Sequence, residues 1–177
     1  MVAVTPFERA LAFVLEREGG FVDDAADPGG ETNCGITWSS LRAASFLGIV
    51  PAGTTIRAMT PQVAGLIYRA LYWDLIKGDQ LPAALAFQVF DAATNQGVSG
   101  AVKALQAALG VTVDGMVGPA TIAASSAKLG VSALNEFASQ RIMRYAGTEN
   151  FDRFGLGWIR RAVASHAESV RDLMEGM

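Results

Sequence analysis

The sequence predicts a mainly helical α+β domain with one small β element. Apolar residues recur at helical spacing through most of the chain, and signals for helix starts and stops divide it into short segments. Residues 21–37 break this pattern, as do the shorter loops 51–57 and 110–119. The 177 residues are 51% hydrophobic and 18% charged, which provides enough apolar surface for a substantial core. This length suits one compact domain or a domain with a small annex.

Capping signals mark where the helices begin. Thr5 is a capping residue, Pro6 occupies the first helical position, and Glu8 follows three residues after the cap. This helix is predicted to run to Glu18, where Gly19 ends it. Similar signals and apolar spacing predict further helices over 39–47, 60–76, 82–96, 99–109, 120–129, 131–145 and 151–174.

Residues 21–37 contain the candidate β element. The segment is rich in Asp, Gly and Pro and has a short strand-like end. We expect a β-hairpin, or an irregular loop that closes on residues 32–37. Its glycines let the backbone come close to a bulky ligand.

Composition argues against several classes of function. The net charge of −3 and the lack of a basic block are not typical of a nucleic-acid binder. With one cysteine, Cys34, and one histidine, His166, we expect neither an intrachain disulfide nor a zinc site, and no cofactor. The sequence contains no stretch of 18 or more apolar residues, so we expect no direct membrane insertion. The N-terminus does not read as a secretory signal, so we expect synthesis in the cytoplasm.

Glu18 is the candidate catalytic acid. Apolar residues occupy one arc of the first helix, and Glu18 lies in that arc, eleven residues and about 20° from Phe7. A carboxylate there is costly to ionise, and the carbonyls at the helix C-terminus also disfavour negative charge. Both effects suit a general acid. The alternative is that the helix has already ended and Glu18 points to water.

Four further residues are candidates for substrate binding. Asp91 and Asn95 are four apart on one helix and share a stripe, which predicts either a polar cleft wall that hydrogen-bonds a substrate or a solvated face. Tyr72 and Trp73 either stack on a ring of the substrate or belong to the core. The other two tryptophans, Trp38 and Trp158, are assigned to packing.

Several motifs of the chain resemble glycoside hydrolase family 108, the N-acetylmuramidases of phage endolysins and secretion activators. The resemblance spans nearly the whole chain. Its longest and most specific part is the first run of residues. The matching segments are 18–21, 27–32 (DPGGET), 35–37 (GIT), 72–74 (YWD), 90–97 (FDAATNQG), 105–110, 114–121 (DGMVGPAT) and 154–161.

The resemblance implies a lysozyme-like fold in which Glu18 matches the catalytic glutamate. Glu18, Asp27 and Thr32 together are also similar to the Glu, Asp and Thr trio of phage lysozymes. This similarity implies that Asp27 and Thr32 support the catalytic glutamate. Eight residues separate Glu18 from Asp27, as in that trio, whereas Thr32 falls one residue early. Glu31 or Thr37 is therefore an alternative for the supporting role.

The resemblance also implies a division of labour within the chain. Residues 1–97 would form a lysozyme-like catalytic part, and residues 98–177 a helical peptidoglycan-binding part packed against it as one compact unit. The expected reaction is hydrolysis of the β-1,4 bond between N-acetylmuramic acid and N-acetylglucosamine. Two alternatives stay open: a lytic transglycosylase, and a non-catalytic peptidoglycan-binding module of a secretion or phage system.

The expected partners follow from the same reading. The ligand is the glycan strand of peptidoglycan, and a holin or dedicated exporter is the expected companion. We expect a monomer that acts on the cell wall, in the periplasm, after its release from the cytoplasm.

Overall fold

The computed structural model of the chain describes residues 4–22 and 30–176. These residues form eight α-helices close to the predicted positions, which confirms the mainly helical prediction. The helices are α1 (Pro6–Glu18), α2 (Trp38–Phe46), α3 (Pro61–Tyr68), α4 (Ala83–Gln96), α5 (Val98–Leu109), α6 (Pro119–Ala127), α7 (Val131–Ala146) and α8 (Phe151–Glu175).

The start of α1 has the predicted capping box. The backbone N–H of Glu8 donates to the Thr5 hydroxyl at 3.2 Å, and the Thr5 backbone N–H donates to the Glu8 carboxylate at 2.8 Å. The bond from the Thr5 backbone N–H, and then one from the Thr5 hydroxyl to the same carboxylate at 2.9 Å, hold the pKa of Glu8 below its usual value. The helix ends as predicted, with Gly19 at its C-cap. The capping box therefore fixes the register of the helix that carries Glu18.

The predicted β-hairpin does not form in the described part of the chain. Isolated antiparallel bridges join Val22 to Thr32 and Asn33 to Ile36, and none of the described residues lies in a regular strand. Positive φ angles at Gly30, Cys34 and Gly35 interrupt extended backbone within a few residues. The irregular loop, the alternative reading of 21–37, describes these residues better.

The packing of the chain divides it into two compact units, the first of which ends at Asp74. These units reflect which residues pack together and not what each part does. The predicted division into a catalytic part and a binding part at residue 97 therefore stays a prediction. In the first unit, α3 packs against α1 and α2. A π-helical turn, Arg69–Trp73, continues α3. Its Trp73 side chain is fully buried, whereas Arg69 forms an ion pair with Asp74 (2.8 Å) nearer the surface.

The second unit begins at Leu75 and is built around α4. This helix is buried along most of its length and packs against α5, α7 and α8. The buried positions of the long helix α8 are all small, which permits close approach to α4 and α7. They are Gly155, Ala162, Ser165 and Ser169.

Candidate active site

Glu18 is the last residue of α1, and its side chain is half-buried against Gly35. A Cβ atom built on Gly35 would lie 2.7 Å from Cγ and 2.9 Å from Cβ of Glu18, and would overlap the hydroxyl oxygen of Tyr68. Gly35 also has φ of 72°, a backbone conformation that favours glycine. Only a residue without a side chain fits between Glu18 and Tyr68.

The turn that carries Gly35 is fixed by its own hydrogen bonds. Asn33 and Ile36 exchange two backbone bonds of 3.2 and 2.9 Å across the two residues between them. Asn33 is buried, and its side-chain amide donates to the carbonyl oxygens of Ile56 and Met59 at 3.1 and 3.3 Å. The turn is thereby anchored to the loop before α3, which holds Gly35 in place beside Glu18.

Tyr68 links this turn to α3. Its hydroxyl donates to the carbonyl oxygen of Cys34 at 3.0 Å. Burial raises the pKa of the Cys34 thiol, so the thiol stays protonated at neutral pH. Neither Tyr68 nor Asn33 was predicted from the sequence to be a site residue. Asn33 lies between the matching segments 27–32 and 35–37, and that position was its only signal.

The residues proposed to support Glu18 differ in their surroundings. The Glu31 carboxylate accepts two hydrogen bonds from the Arg57 guanidinium, at 3.2 and 3.1 Å. The Thr37 hydroxyl caps α2 by accepting from the Ser40 backbone N–H at 3.3 Å.

Thr32 and Asp27 complete the set of supporting candidates. Thr32 is half-buried and pairs with Val22 through its backbone. Its hydroxyl makes no hydrogen bond within residues 4–22 and 30–176. Asp27 lies outside the described residues.

Asp91 does not line a polar cleft, and that prediction is wrong. Its side chain is 1% exposed and accepts hydrogen bonds from Arg141 at 2.6 Å and Arg161 at 2.8 Å. Two guanidinium groups thus surround one buried carboxylate. Burial of a charge is costly unless it is paired in this way, so Asp91 holds α4, α7 and α8 together.

Asn95 joins the same network, four residues further along α4. Its side chain oxygen faces the Arg161 guanidinium at 2.8 and 3.1 Å, and its nitrogen faces the Tyr145 hydroxyl at 3.1 Å. This amide orientation is the one that gives both of its atoms suitable partners. Asn95 is nevertheless half-buried and reaches a cavity, so its predicted contact with substrate stays a prediction.

The two aromatic candidates for substrate binding, Trp73 and Tyr72, differ in burial. Trp73 is fully buried, with its ring edge-on to Phe7 at 5.3 Å between centroids, so it has no face to offer a sugar. Its assignment to substrate binding is wrong, and the core alternative describes it. Tyr72 is half-buried and lies tilted against Tyr68 at 5.6 Å, so it stays a candidate.

Trp38 is more exposed than its assignment to packing predicts. It is 45% exposed on α2 and borders a groove of about 610 Å³ along that helix. Arg42 and Phe46, the latter 91% exposed, lie along the same groove. The apolar periodicity of α2 did not distinguish this face from the buried one, which carries Leu41 and Ala44.

The motif 114–121 consists of a loop and the first residues of α6, and a side chain of α5 holds the loop. The Gln106 side chain donates to the Asp114 carboxylate at 2.7 Å and to the Met116 carbonyl at 2.9 Å, and accepts from the Gly115 N–H at 2.8 Å. The polar groups of the motif are therefore used to attach this loop to α5. Its predicted role in binding peptidoglycan stays a prediction.

A metal-binding cluster and a membrane-spanning helix are both absent from residues 4–22 and 30–176. No group of three or more His, Cys, Asp and Glu side chains in this part of the chain is placed to hold a metal ion. Among these residues, no helix has the length and hydropathy needed to cross a membrane. The single histidine, His166, is half-buried and lies 3.4 Å from the buried amide of Gln88.

A carboxylate at a helix end, beside a glycine turn in a mainly helical chain, suits a glycosidase that works by general acid catalysis. Comparisons with known proteins agree. The family model Glycosyl hydrolase 108 matches residues 11–97. The chain is similar to the solved structure of SagA from Brucella abortus, with 35% sequence identity over 93% of this chain and 94% of SagA, and a TM-score of 0.81. A search of curated proteins found no match.

The chain belongs to glycosyl hydrolase family 108. It is therefore a glycoside hydrolase, and the family implies a peptidoglycan hydrolase of the muramidase type. Glu18, Thr32 and Gly35 all lie within the matched residues.

Proposed function

We propose that the protein hydrolyses the β-1,4 bond between N-acetylmuramic acid and N-acetylglucosamine in peptidoglycan, with Glu18 as the general acid. A lysozyme-like fold, which the family resemblance implies, is part of this proposal. The observation that carries it is the contact of Glu18 with Gly35. A half-buried carboxylate fixed at a helix end, beside backbone that lacks a side chain, can reach a bulky glycan.

The proposed reaction divides the work between an acid and a supporting group. Glu18 gives its proton to the glycosidic oxygen as the bond from that oxygen to C1 of N-acetylmuramic acid breaks. Water adds to C1 and gives a proton to a carboxylate of the site, Asp27 or the deprotonated Glu18, which leaves a new reducing end. Asp27, together with Thr32, orients this water or stabilises the oxocarbenium ion.

The surroundings of the alternatives favour Thr32 for the supporting role. Glu31 is bonded to Arg57, and the Thr37 hydroxyl is used to cap α2. The Thr32 hydroxyl makes no hydrogen bond to any described residue. If Glu31→Gln reduced the rate of lysis and Asp27→Asn did not, Glu31 would replace Asp27 in the proposal.

Replacement of Glu18 by glutamine tests the proposal. Glu18→Gln keeps the shape of the side chain and removes the proton, so it should abolish the turbidity loss of purified cell walls. Glu16→Gln is the matched control, because Glu16 lies on the same helix with a side chain that is 76% exposed. The control should keep its activity. A Glu18→Gln variant that is folded by circular dichroism and retains more than about a tenth of the activity would place the acid elsewhere.

The remaining expectations concern how the enzyme binds and reaches the cell wall, and whether it needs a metal. We propose that residues 98–177 help to hold peptidoglycan and that a holin or an exporter brings the enzyme to the wall. Expression of the chain alone should leave culture turbidity unchanged until chloroform permeabilises the membrane. Activity should also survive EDTA. Loss in EDTA with recovery on added metal would favour a metallopeptidase.

A further inference from the structure

The second unit contains a cavity that the proposed reaction does not use. It has a volume of about 280 Å³ and lies where the ends of α4 and α7 meet α8. Ligand pockets for drug-sized molecules are usually larger, roughly 300–1,000 Å³. This cavity therefore suits a monosaccharide or one to two amino-acid residues. Its lining residues are Asn95, Gln96, Arg144, Tyr145, Thr148 and Trp158.

One wall of the cavity is aromatic. The rings of Tyr145 and Trp158 are stacked, with centroids 5.2 Å apart and planes 23° apart. Tyr145 is buried and its hydroxyl is held by Arg141 at 3.2 Å, which fixes the ring pair. Trp158 is half-buried, so part of its ring is open to a ligand. This wall suits a small apolar group such as a methyl.

The cavity also has a positive charge, the Arg144 guanidinium, without a counter-ion among residues 4–22 and 30–176. Arg141 and Arg161 both pair with Asp91, but no carboxylate of a described residue pairs with Arg144. The Arg144 guanidinium lies over Gly100, where an added Cβ would come within 2.8 Å of its Nε and 2.9 Å of its Cζ. The missing side chain at Gly100 lets this cation rest against α5 at the edge of the cavity. Such a guanidinium is suited to bind a carboxylate.

A buried acceptor completes the arrangement. The Gln96 amide nitrogen donates to the Arg141 carbonyl at 3.0 Å, which sets the orientation of the amide. Its oxygen is buried and accepts no hydrogen bond from any described residue. Buried polar atoms are nearly always paired, so this oxygen indicates a missing donor. After a small rotation of the amide, an N–H group in the cavity would supply it.

We propose that this cavity binds an N-acylated amine that carries a nearby carboxylate. The carboxylate pairs with Arg144, the amide N–H donates to Gln96, and an apolar group contacts Trp158. Peptidoglycan has this chemistry in two places. One is the N-acetylmuramic acid of strands whose peptide stem has been removed, because the lactyl carboxyl is otherwise an amide. The other is the C-terminal alanine of the peptide stem. The choice of these ligands rests on the proposed function. The binding itself requires no cleavage.

Three small ligands test the proposal by direct binding, followed by isothermal titration or by NMR. They are N-acetylmuramic acid, N-acetyl-D-alanine and N-acetylglucosamine, which has the acetamide but no carboxylate. At least one acid should bind about tenfold more tightly than N-acetylglucosamine, the usual effect of a charge-assisted hydrogen bond. Preference for the first acid identifies the sugar as the natural ligand, and preference for the second identifies the stem. Equal binding of all three, or none, overturns the proposal.

A variant locates the binding site. The Glu18→Gln protein is used throughout, so that the result does not depend on catalysis and a failure of the proposed reaction remains distinguishable. Adding Arg144→Gln should weaken binding of the acid about tenfold without lowering the melting temperature. Arg160→Gln is the control, because Arg160 is exposed on α8 and does not line the cavity. Unchanged acid binding by the folded Arg144→Gln variant would also overturn the proposal.

Discussion

Gly35 lies against the side chain of Glu18, and a Cβ atom added to the glycine would come within 2.7 Å of Glu18 Cγ. The contact joins the end of α1 to the turn that follows the glycine-rich segment. The position of the proposed acid therefore depends on a residue 17 positions further along the chain.

Gly35→Ala should abolish lysis even though residue 35 supplies no chemical group. The new methyl would displace Glu18 or Tyr68, and φ of 72° adds backbone strain. Gly48→Ala is the matched control, because Gly48 has φ of 68° but nothing within 4 Å of an added Cβ. The control should lose only about 1–2 kcal/mol of unfolding free energy, the cost of the backbone conformation. Equal activity of the two variants would refute the positioning role of Gly35.

Asp91→Asn should destabilise the protein by about 3–5 kcal/mol, because it leaves Arg141 and Arg161 without their shared counter-ion. Urea denaturation at pH 7 measures this change. Asp152→Asn, at an exposed position on α8, should alter stability little. If Asp91→Asn unfolded with the same free energy as the parent protein but bound cell walls more weakly, Asp91 would again be a candidate for substrate binding.

Tyr72 and Trp73 should respond differently to replacement by alanine. Trp73→Ala opens a cavity in the core and should cost about 3–5 kcal/mol of stability. Tyr72→Ala, at a half-buried position, should cost less, and should raise KM for cell walls if the ring contacts sugar. Thermal unfolding and initial rates separate the two effects. Unchanged KM in Tyr72→Ala would remove Tyr72 from the list of substrate residues.

Asp114 should make stability depend on pH in the acid range. Hydrogen bonds from the Gln106 side chain, and then from the Met116 N–H, hold the pKa of Asp114 below its ordinary value. Its contribution is therefore present above the unfolded pKa of about 3.9 and is lost as the pH falls through the folded pKa.

The variant Asp114→Asn checks this dependence. It should be less stable than the parent at pH 7, and the difference should shrink as the pH falls below about 4. Glu149→Gln changes an exposed carboxylate that makes no hydrogen bond among the described residues, and it should follow the parent at every pH. A difference for Asp114→Asn that stays constant with pH would contradict the role assigned to these hydrogen bonds.

Local signals in the sequence were sufficient for most of the helices. The capping box at Thr5 and Glu8 involves residues three apart, so sequence spacing alone reveals it. The same holds for the Gly19 stop, which places Glu18 at a helix end. The π-helical turn was missed because apolar spacing across 60–76 is compatible with an uninterrupted helix.

Contacts between distant segments could not be predicted in the same way. Asp91 looked like one half of a polar stripe, because its partners Arg141 and Arg161 lie 50 and 70 positions away. The Tyr68 hydroxyl bonds to Cys34 across 34 positions. No periodicity within one helix carries information on such pairs, and only the tertiary structure separates a buried ion pair from a solvated helix face.

The chemical structure of the products tests the central claim most directly. Purified peptidoglycan is digested with the wild-type protein and with Glu18→Gln, and the soluble fragments are analysed by mass spectrometry after borohydride reduction. Hydrolysis with Glu18 as the acid predicts fragments that end in reduced N-acetylmuramic acid, formed by the wild type and absent with Glu18→Gln. Fragments that end in 1,6-anhydro-N-acetylmuramic acid, or the same hydrolysis products from the folded Glu18→Gln variant, would contradict it.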